Sequence, residues 1–508
     1  VTIERLMVAV VAASVLLAHD VGRMLSQSFW NDESWVAVTT RFPISDVAST
    51  TASTPIGWTV LLRLFPFGGP EGLRLLPLVF AAGAVVAGYT LASGLGWNRR
   101  TLAVGAGLGC AYAVLMNPAM LVRNDLKQYT ADAAFALVVL TLTSRVERQW
   151  SRLHLGLLAG VIAVGMLFSH TTAFVGAAAF VALVAVQLWR RSWRTALEAA
   201  VAGGVALAGM LTVYEVWDAR GIVPALTYYW RNYYFARGSG VRHFLSWRWH
   251  AIEQYLGLGP IWLAAPLVIA GVVTIARLAR PATALAVCLL FVEMPIVSAL
   301  RKYPYLDERT STFLFVVFAV VAGIGVVSIG VALSRWIHAF GAIALALAAA
   351  VALTIHGANY ARTQTVPAED PAQQIAYVDR HRAPGDVIVV NSSSSYAFGY
   401  YWRNDKPSIQ HSAVAGPLQY FVTYPEQSDI VALSGRACAQ VSAGLSAGLQ
   451  RMSGRPAAQL WLIRTHVNTA ESRCWTEALA DPALVVTSVG PPGLDVIRFA
   501  DATGGQVR

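Results

Sequence analysis

Asn31-Asp32-Glu33-Ser34-Trp35 places two adjacent carboxylates directly after one long apolar run and before the next, at the mouth of a membrane. Charge held at a bilayer edge is costly, so catalysis or ion binding is the first explanation to test. The membrane itself is read from composition: 56% of the residues are hydrophobic and 13% charged, with a mean hydropathy of +0.53. Apolar runs of roughly 17–22 residues, each long enough to cross a bilayer of about 30 Å as a helix, recur from Leu6 to about Ile355. They amount to about eleven spans, so the fold class is mainly α, a polytopic membrane helix bundle. The first run has no small-residue cleavage site before Arg23 and is expected to be a retained helix rather than a signal peptide.

Short basic connectors fix the expected orientation. Trp97-Asn98-Arg99-Arg100, the Arg145/Arg148/Arg152 stretch, Trp189-Arg190-Arg191-Ser192-Trp193-Arg194, Arg277/Arg280 and Arg335 alternate with the other loops and mark the cytoplasmic side. The amino terminus then lies inside. The segment 26–73, the Asn117–Asp132 stretch, the turn at His170, the aromatic segment 218–256, the 300–311 loop and everything past about 358 face outward from a cytoplasmic (plasma) membrane. The net charge of +10 fits contact with anionic membrane lipid, and no basic nucleic-acid motif is present.

Apolar spans stop near Thr363. Beyond them, Gly385-Asp386-Val387-Ile388-Val389-Val390, Leu460–Ile463 and Leu484–Val489 read as strands, with 370–381 and 437–452 as amphipathic helices between them. The expected division is a transmembrane domain over 1–360, with interfacial helices in the 26–73 and 218–256 loops, and a small extracytoplasmic α/β domain over 361–508. Cys110 and Cys288 lie in apolar runs as small hydrophobes, whereas an oxidising exterior would permit Cys438 and Cys474 to bridge.

Outward loops carry the chemistry. The acidic pair is followed by a Pro-containing amphipathic stretch, Thr54-Pro55-Ile56-Gly57-Trp58, and by Glu71-Gly72-Leu73-Arg74-Leu75-Leu76-Pro77, which opens the second span. Further along come Arg123-Asn124-Asp125-Leu126-Lys127-Gln128-Tyr129-Thr130-Ala131-Asp132, Phe168-Ser169-His170-Thr171, and Arg301-Lys302-Tyr303-Pro304-Tyr305 with Arg309. In this order the first 330 or so residues resemble the membrane-embedded glycosyltransferases of GT-C type, in particular the family of protein O-mannosyltransferases and the aminoarabinose transferase of lipid A. The resemblance implies a first-loop acidic residue acting as base, a polyprenyl-phosphate sugar as donor, and transfer on the outer face to a cell-envelope glycan, lipid or protein.

The same residues suit that chemistry on physical grounds. Displacing a lipid phosphate from an anomeric carbon requires a group to take the acceptor's proton and cations to stabilise the leaving phosphate. Asp32 suits the first role, its bland alternative being an N-cap for a helix starting at Glu33. Glu33 points about 100° away on a helix and would bind a cation, orient substrate or pair with an arginine. Arg123 and Lys127 are four apart, on one helical face, and Arg301, Lys302 and Arg309 repeat the cationic pattern. These five are the donor-phosphate candidates, as clamps or as snorkelling side chains. Arg74, Asp125, Tyr129, His170, Tyr229, Trp230 and Tyr303 are the substrate and lipid candidates; Asp125 and Asp132 could also pair with the cations. No cofactor is certain beyond the lipid-linked donor. A divalent cation would fall to Glu33 and His170, although His170 reads equally well as a turn residue. The Tyr228–Phe235 and Trp247–His250 aromatics fit an interfacial belt or the wall of a polyprenyl groove. Two other classes remain: a lipid or solute transporter, which would show internal repeats and midplane charges, and a scaffold whose outer domain binds glycan.

Overall fold

A computed structural model describes residues 2–50, 54–65, 67, 69–122, 125–221, 224–236, 240–363, 369–411, 420–455 and 457–500. Among them, seven helices are long and apolar enough to cross a membrane: Pro70–Ser93, Tyr129–Arg148, Thr172–Trp189, Trp193–Asp218, Pro281–Ala299, Thr312–Arg335 and Phe340–Thr363. An eighth span is counted if Gly240–Leu256 and Ile261–Arg277, bent by 68° at their junction, act as one. Arg100–Leu115 and Arg152–Gly165 are apolar but shorter. The chain is a multi-pass membrane protein; among the described residues seven or eight helices reach the length of a full span, against about eleven expected.

The first apolar run is not one helix. It breaks into Thr2–Ala13, Val15–Ala18 and Val21–Ser26, with Asp20 at a left-handed φ of 44° and its carboxylate accepting from the Arg23 backbone N–H at 3.4 Å. A polar residue able to bond its own backbone ends a helix there. The last apolar run folds back on itself: a Cβ added at Gly330 would meet the Ala342 Cβ at 3.4 Å, although twelve residues of straight helix would hold the two about 18 Å apart. Close approach elsewhere uses glycine. Gly271 lies against Val321 and Gly325 against Leu267, so the backbones of Ile261–Arg277 and Thr312–Arg335 nearly touch, which only small residues allow. Cys110 is buried as expected; Cys288 instead lies on the exposed face of its helix.

Beyond Thr363, a five-stranded sheet has the order β4-β1-β5-β7-β6, built from β1 (Val387–Val390), β4 (Ile430–Ala432), β5 (Leu460–Ile463), β6 (Leu484–Ser488) and β7 (Leu494–Phe499). β1 is parallel to both β4 and β5, while β7 is antiparallel to β5 and β6. β2 (Ser408–His411) and β3 (Tyr420–Thr423) form a separate antiparallel pair. Alternate residues of a strand face opposite sides, and the two sides of this sheet meet different partners. Val387, Val389, Leu460 and Leu462 pack under Val441, Leu445 and Trp475. Ile388, Val390, Trp461 and Ile463 join a core with Phe398 and Trp402 that extends to Phe29, Val36, Val38 and Trp58 of the first loop. Cys438 and Cys474, one on each of the helices Cys438–Met452 and Thr469–Ala478, form a disulfide with Cα atoms 4.8 Å apart.

The shared core is locked by polar contacts. The Arg41 guanidinium donates to the carbonyls of Gly399 and Trp402, the latter at 2.6 Å. The Tyr401 hydroxyl accepts from the Phe29 N–H at 2.8 Å, and the Tyr400 hydroxyl donates to the Pro70 carbonyl at 2.8 Å. Gly399 has no room for a side chain, since a Cβ would come within 2.9 Å of both Val38 and Val422. The C-terminal domain therefore holds the segment carrying Asp32.

Candidate active site

Asp32 and Glu33 occupy the first turn of the Asn31–Thr39 helix. The helix begins at Asn31, two residues earlier than the capping alternative required, and the capping acceptor is Glu33, which takes the Trp30 N–H at 3.1 Å. Asp32 is released from that task. Its carboxylate instead pairs with Arg309, Oδ2 to Nη1 at 2.9 Å, with about a quarter of each side chain exposed.

Glu33 is buried against Arg74. The guanidinium grips both carboxylate oxygens, at 2.8 Å from Nε and 2.6 Å from Nη2. Its other three N–H groups reach the carbonyls of Met24, Gln27 and Ser28. All five donors of an arginine are thus engaged, which leaves none for a lipid phosphate and makes Arg74 the clasp between the first broken helix and the turn carrying Asp32. Burial pushes the Glu33 carboxyl above the ordinary carboxylate value, with Arg74 pulling against it.

Arg309 is the centre of the cationic side. Its Nη2 donates to the Tyr229 hydroxyl at 3.3 Å, its guanidinium lies 5.4 Å from the Trp230 ring, and Asp307 is 4.0 Å away. Tyr129 also faces it electrostatically. Lys127 is buried, its ammonium 3.9 Å from the Trp35 ring. Burial pushes its pKa down to about 8, with Asp32 pulling it up and Arg309 down. Asp32, Glu33, Arg74, Asp125 and Arg309 line one cavity of about 930 Å³. Its lining includes the apolar Leu121, Val122, Ala358 and Ala361 and a rim with Trp30, Glu369, Asp370 and Gln373.

Several expected residues lie elsewhere. Arg301 and Lys302 are exposed and absent from the cavity wall. Left-handed turns at Arg301 (φ 59°) and Leu306 (φ 55°), tied by the Tyr305 N–H to the Tyr233 carbonyl at 2.8 Å, send Arg309 inward without them. The Tyr303 hydroxyl donates to the Thr310 carbonyl at 3.0 Å, and its ring meets Phe174 edge-on, so it braces this loop. His170 lies 3.2 Å from Asp218, and Asp132 is buried beside Ser169, His170 and Thr171 rather than against the outer cations. Glu33 and His170 thus turn to different partners, and no group of three His, Cys, Asp or Glu among the described residues is placed to hold a metal ion. Arg123 lies outside the described residues. The sequence reading missed Trp30, Glu369, Asp370 and Gln373. An Asp before a Pro-initiated helix at 371 is a legible N-cap, but its place in the same cavity as Asp32 is not legible in the sequence.

Solved structures place this architecture. The chain superposes on ArnT from Cupriavidus metallidurans with a TM-score of 0.56 at 13% identity, covering 97% of both chains. The fold is that of the GT-C glycosyltransferases. AglB, the archaeal oligosaccharyltransferase from Archaeoglobus fulgidus, solved with an inhibitory peptide and a dolichol-phosphate, matches at 0.51 and 11% identity over 91% of this chain and 69% of its own. The arabinofuranosyltransferase AftD from Mycobacteria matches at 0.51 and 14% identity over 97% of this chain. The chain spans 40% of AftD and 61% of a further Archaeoglobus fulgidus oligosaccharyltransferase structure. No family model matches the chain, and no curated protein matches its sequence.

Proposed function

We propose that the protein transfers a sugar from a polyprenyl-phosphate donor to an acceptor hydroxyl on the outer face of the plasma membrane. The observation that carries this reading is the Asp32–Arg309 pair at 2.9 Å on the wall of a cavity bounded by apolar helices. The apolar wall at Leu121, Val122, Ala358 and Ala361 suits the first isoprene units, and Arg309 suits the phosphate. A guanidinium fork contacts phosphate oxygens in pairs, while Lys127 behind it adds a point charge. Resemblance to proteins of the GT-C fold supports the same reading.

Arg309 pairs with Asp32. Phosphate competes for that guanidinium, so donor binding frees a carboxylate oxygen for the incoming hydroxyl. The acceptor oxygen then attacks the anomeric carbon as Asp32 takes its proton, and the bond to the phosphate oxygen breaks with its electron pair leaving on the phosphate. Arg309 stabilises the charge that grows there. A single displacement inverts the anomeric centre. Glu33 and Arg74 act by position, fixing the turn that presents Asp32. The test is transfer by the purified protein in lipid nanodiscs, with polyprenyl-phosphate mannose and polyprenyl-phosphate arabinose as donors. Product with inverted configuration supports the reading, and retained configuration would exclude a single displacement.

A further inference from the structure

We propose that the rim of the cavity formed by Trp30, Glu369, Asp370 and Gln373 is the acceptor subsite, and that its ligand is the end of an uncharged glycan chain. This rests on the transferase reading and adds the acceptor class to it.

Charge is the first ground. Seven carboxylates line the cavity against four guanidinium groups, and two of those four are held by Asp32 and Glu33. The donor phosphate goes to Arg309, whereas an acidic group beside Glu369 and Asp370 would meet charges of its own sign; hydroxyl groups are the donors that acceptor-only carboxylates require. The rim carboxylates are also held still. Glu369 accepts from the His466 N–H at 2.7 Å, and Asp370 from the Gln373 N–H at 2.9 Å where the Pro371–His381 helix begins. Fixed acceptors bind hydroxyls with little loss of side-chain freedom.

Shape is the second ground. The Trp30 indole is 39% exposed and offers the flat apolar face on which the C–H side of a sugar ring packs. A second pocket shares Trp30 and Glu369 and reaches Asn31, Ser393, Thr465 and His466, but its volume of about 10 Å³ admits no sugar ring. These last three follow β1 and β5, whose neighbours β4 and β5 branch to either side of β1. Open α/β sheets bind ligands at that position, beyond the carboxyl ends of the strands. The cavity of about 930 Å³ has room for a terminal sugar ring against Trp30.

The experiment uses the full-length protein in nanodiscs and two readouts. Saturation-transfer NMR without donor compares linear neutral hexasaccharides (mannan, arabinan and galactan fragments) with an oligogalacturonate of equal length and a Ser/Thr-rich peptide. At least one neutral chain is expected to bind about tenfold more tightly than the uronate or the peptide, and the Glu369→Gln/Asp370→Asn variant to narrow that gap. In the transfer assay the same variant raises acceptor KM about tenfold with less than a twofold change in kcat. Gln373→Ala, which alters no buried contact, raises it in the same direction. Preference for the uronate or peptide, no binding by any neutral chain, or an acceptor KM unmoved by both variants would overturn the proposal. Failure of the transferase reading looks different: no donor is consumed with any acceptor, while the binding comparison still decides the subsite.

Discussion

Asp32 and Glu33 are neighbours in the chain and meet opposite arginines. Their 100° separation on a helix was legible in the sequence, as was the need for a cation near one of them; which cation belonged to which acid was not, because Arg74 and Arg309 are far apart in the chain. In the proposed mechanism Arg309 meets the donor phosphate, so Arg309→Ala is expected to lower kcat/KM for donor by at least about 100-fold and Arg309→Lys by about tenfold, since a lysine keeps the charge but loses the fork. Steady-state kinetics with varied donor checks both. Lys127 yields a pH prediction. Its pKa, pushed down to about 8 by burial, means the ammonium is present below that value and lost above it. Donor kcat/KM, which reports the free enzyme, is therefore expected to fall as pH rises through about 8, and Lys127→Met to flatten that limb while lowering the plateau. The stability sign is opposite: the unfolded lysine titrates higher, so the unfolded chain holds more protons between about 8 and 10.5, and stability rises with pH across that window.

At the scale of elements, the turn carrying Asp32 is held by the buried Glu33–Arg74 ion pair together with the capping bond that Glu33 accepts from Trp30. Removing one partner strands the other charge away from water, so Glu33→Ala is expected to destabilise the fold by about 3–5 kcal/mol, and Glu33→Gln by less because it keeps acceptors for Arg74. Thermal unfolding in nanodiscs measures the difference. The strands β1 and β5 could be read from their runs of Val, Ile and Leu, and the helices Pro371–His381 and Cys438–Met452 from amphipathic spacing. β2, β3 and β4 could not, because runs of three or four residues carry too little periodicity. The 300–311 loop misled for a related reason. Its cations look equivalent in sequence, and only two left-handed turns separate Arg309 from Arg301 and Lys302.

Across the whole molecule, the C-terminal domain is part of the site's support. One sheet face shares its core with Phe29, Val36 and Val38, a junction invisible in a sequence where those residues lie some 350 positions from Ile388 and Val390. Filling the tight approach at Gly399 with valine is expected to separate the domains and lower kcat several-fold without unfolding the sheet, as judged by limited proteolysis together with activity. The Cys438–Cys474 bridge closes a 36-residue separation, which chain-entropy reasoning values at about 4 kcal/mol. Reduction should accordingly lower the unfolding temperature of this domain, as differential scanning calorimetry would register. The central claim, that the molecule moves a lipid-linked sugar with Asp32 as base, is tested most directly by mass spectrometry of lipid-linked sugars in a deletion strain complemented with wild type or Asp32→Asn. The account predicts that one polyprenyl-phosphate sugar accumulates in the deletion, disappears with wild type and persists with Asp32→Asn at equal protein level. Full clearance by Asp32→Asn would contradict it.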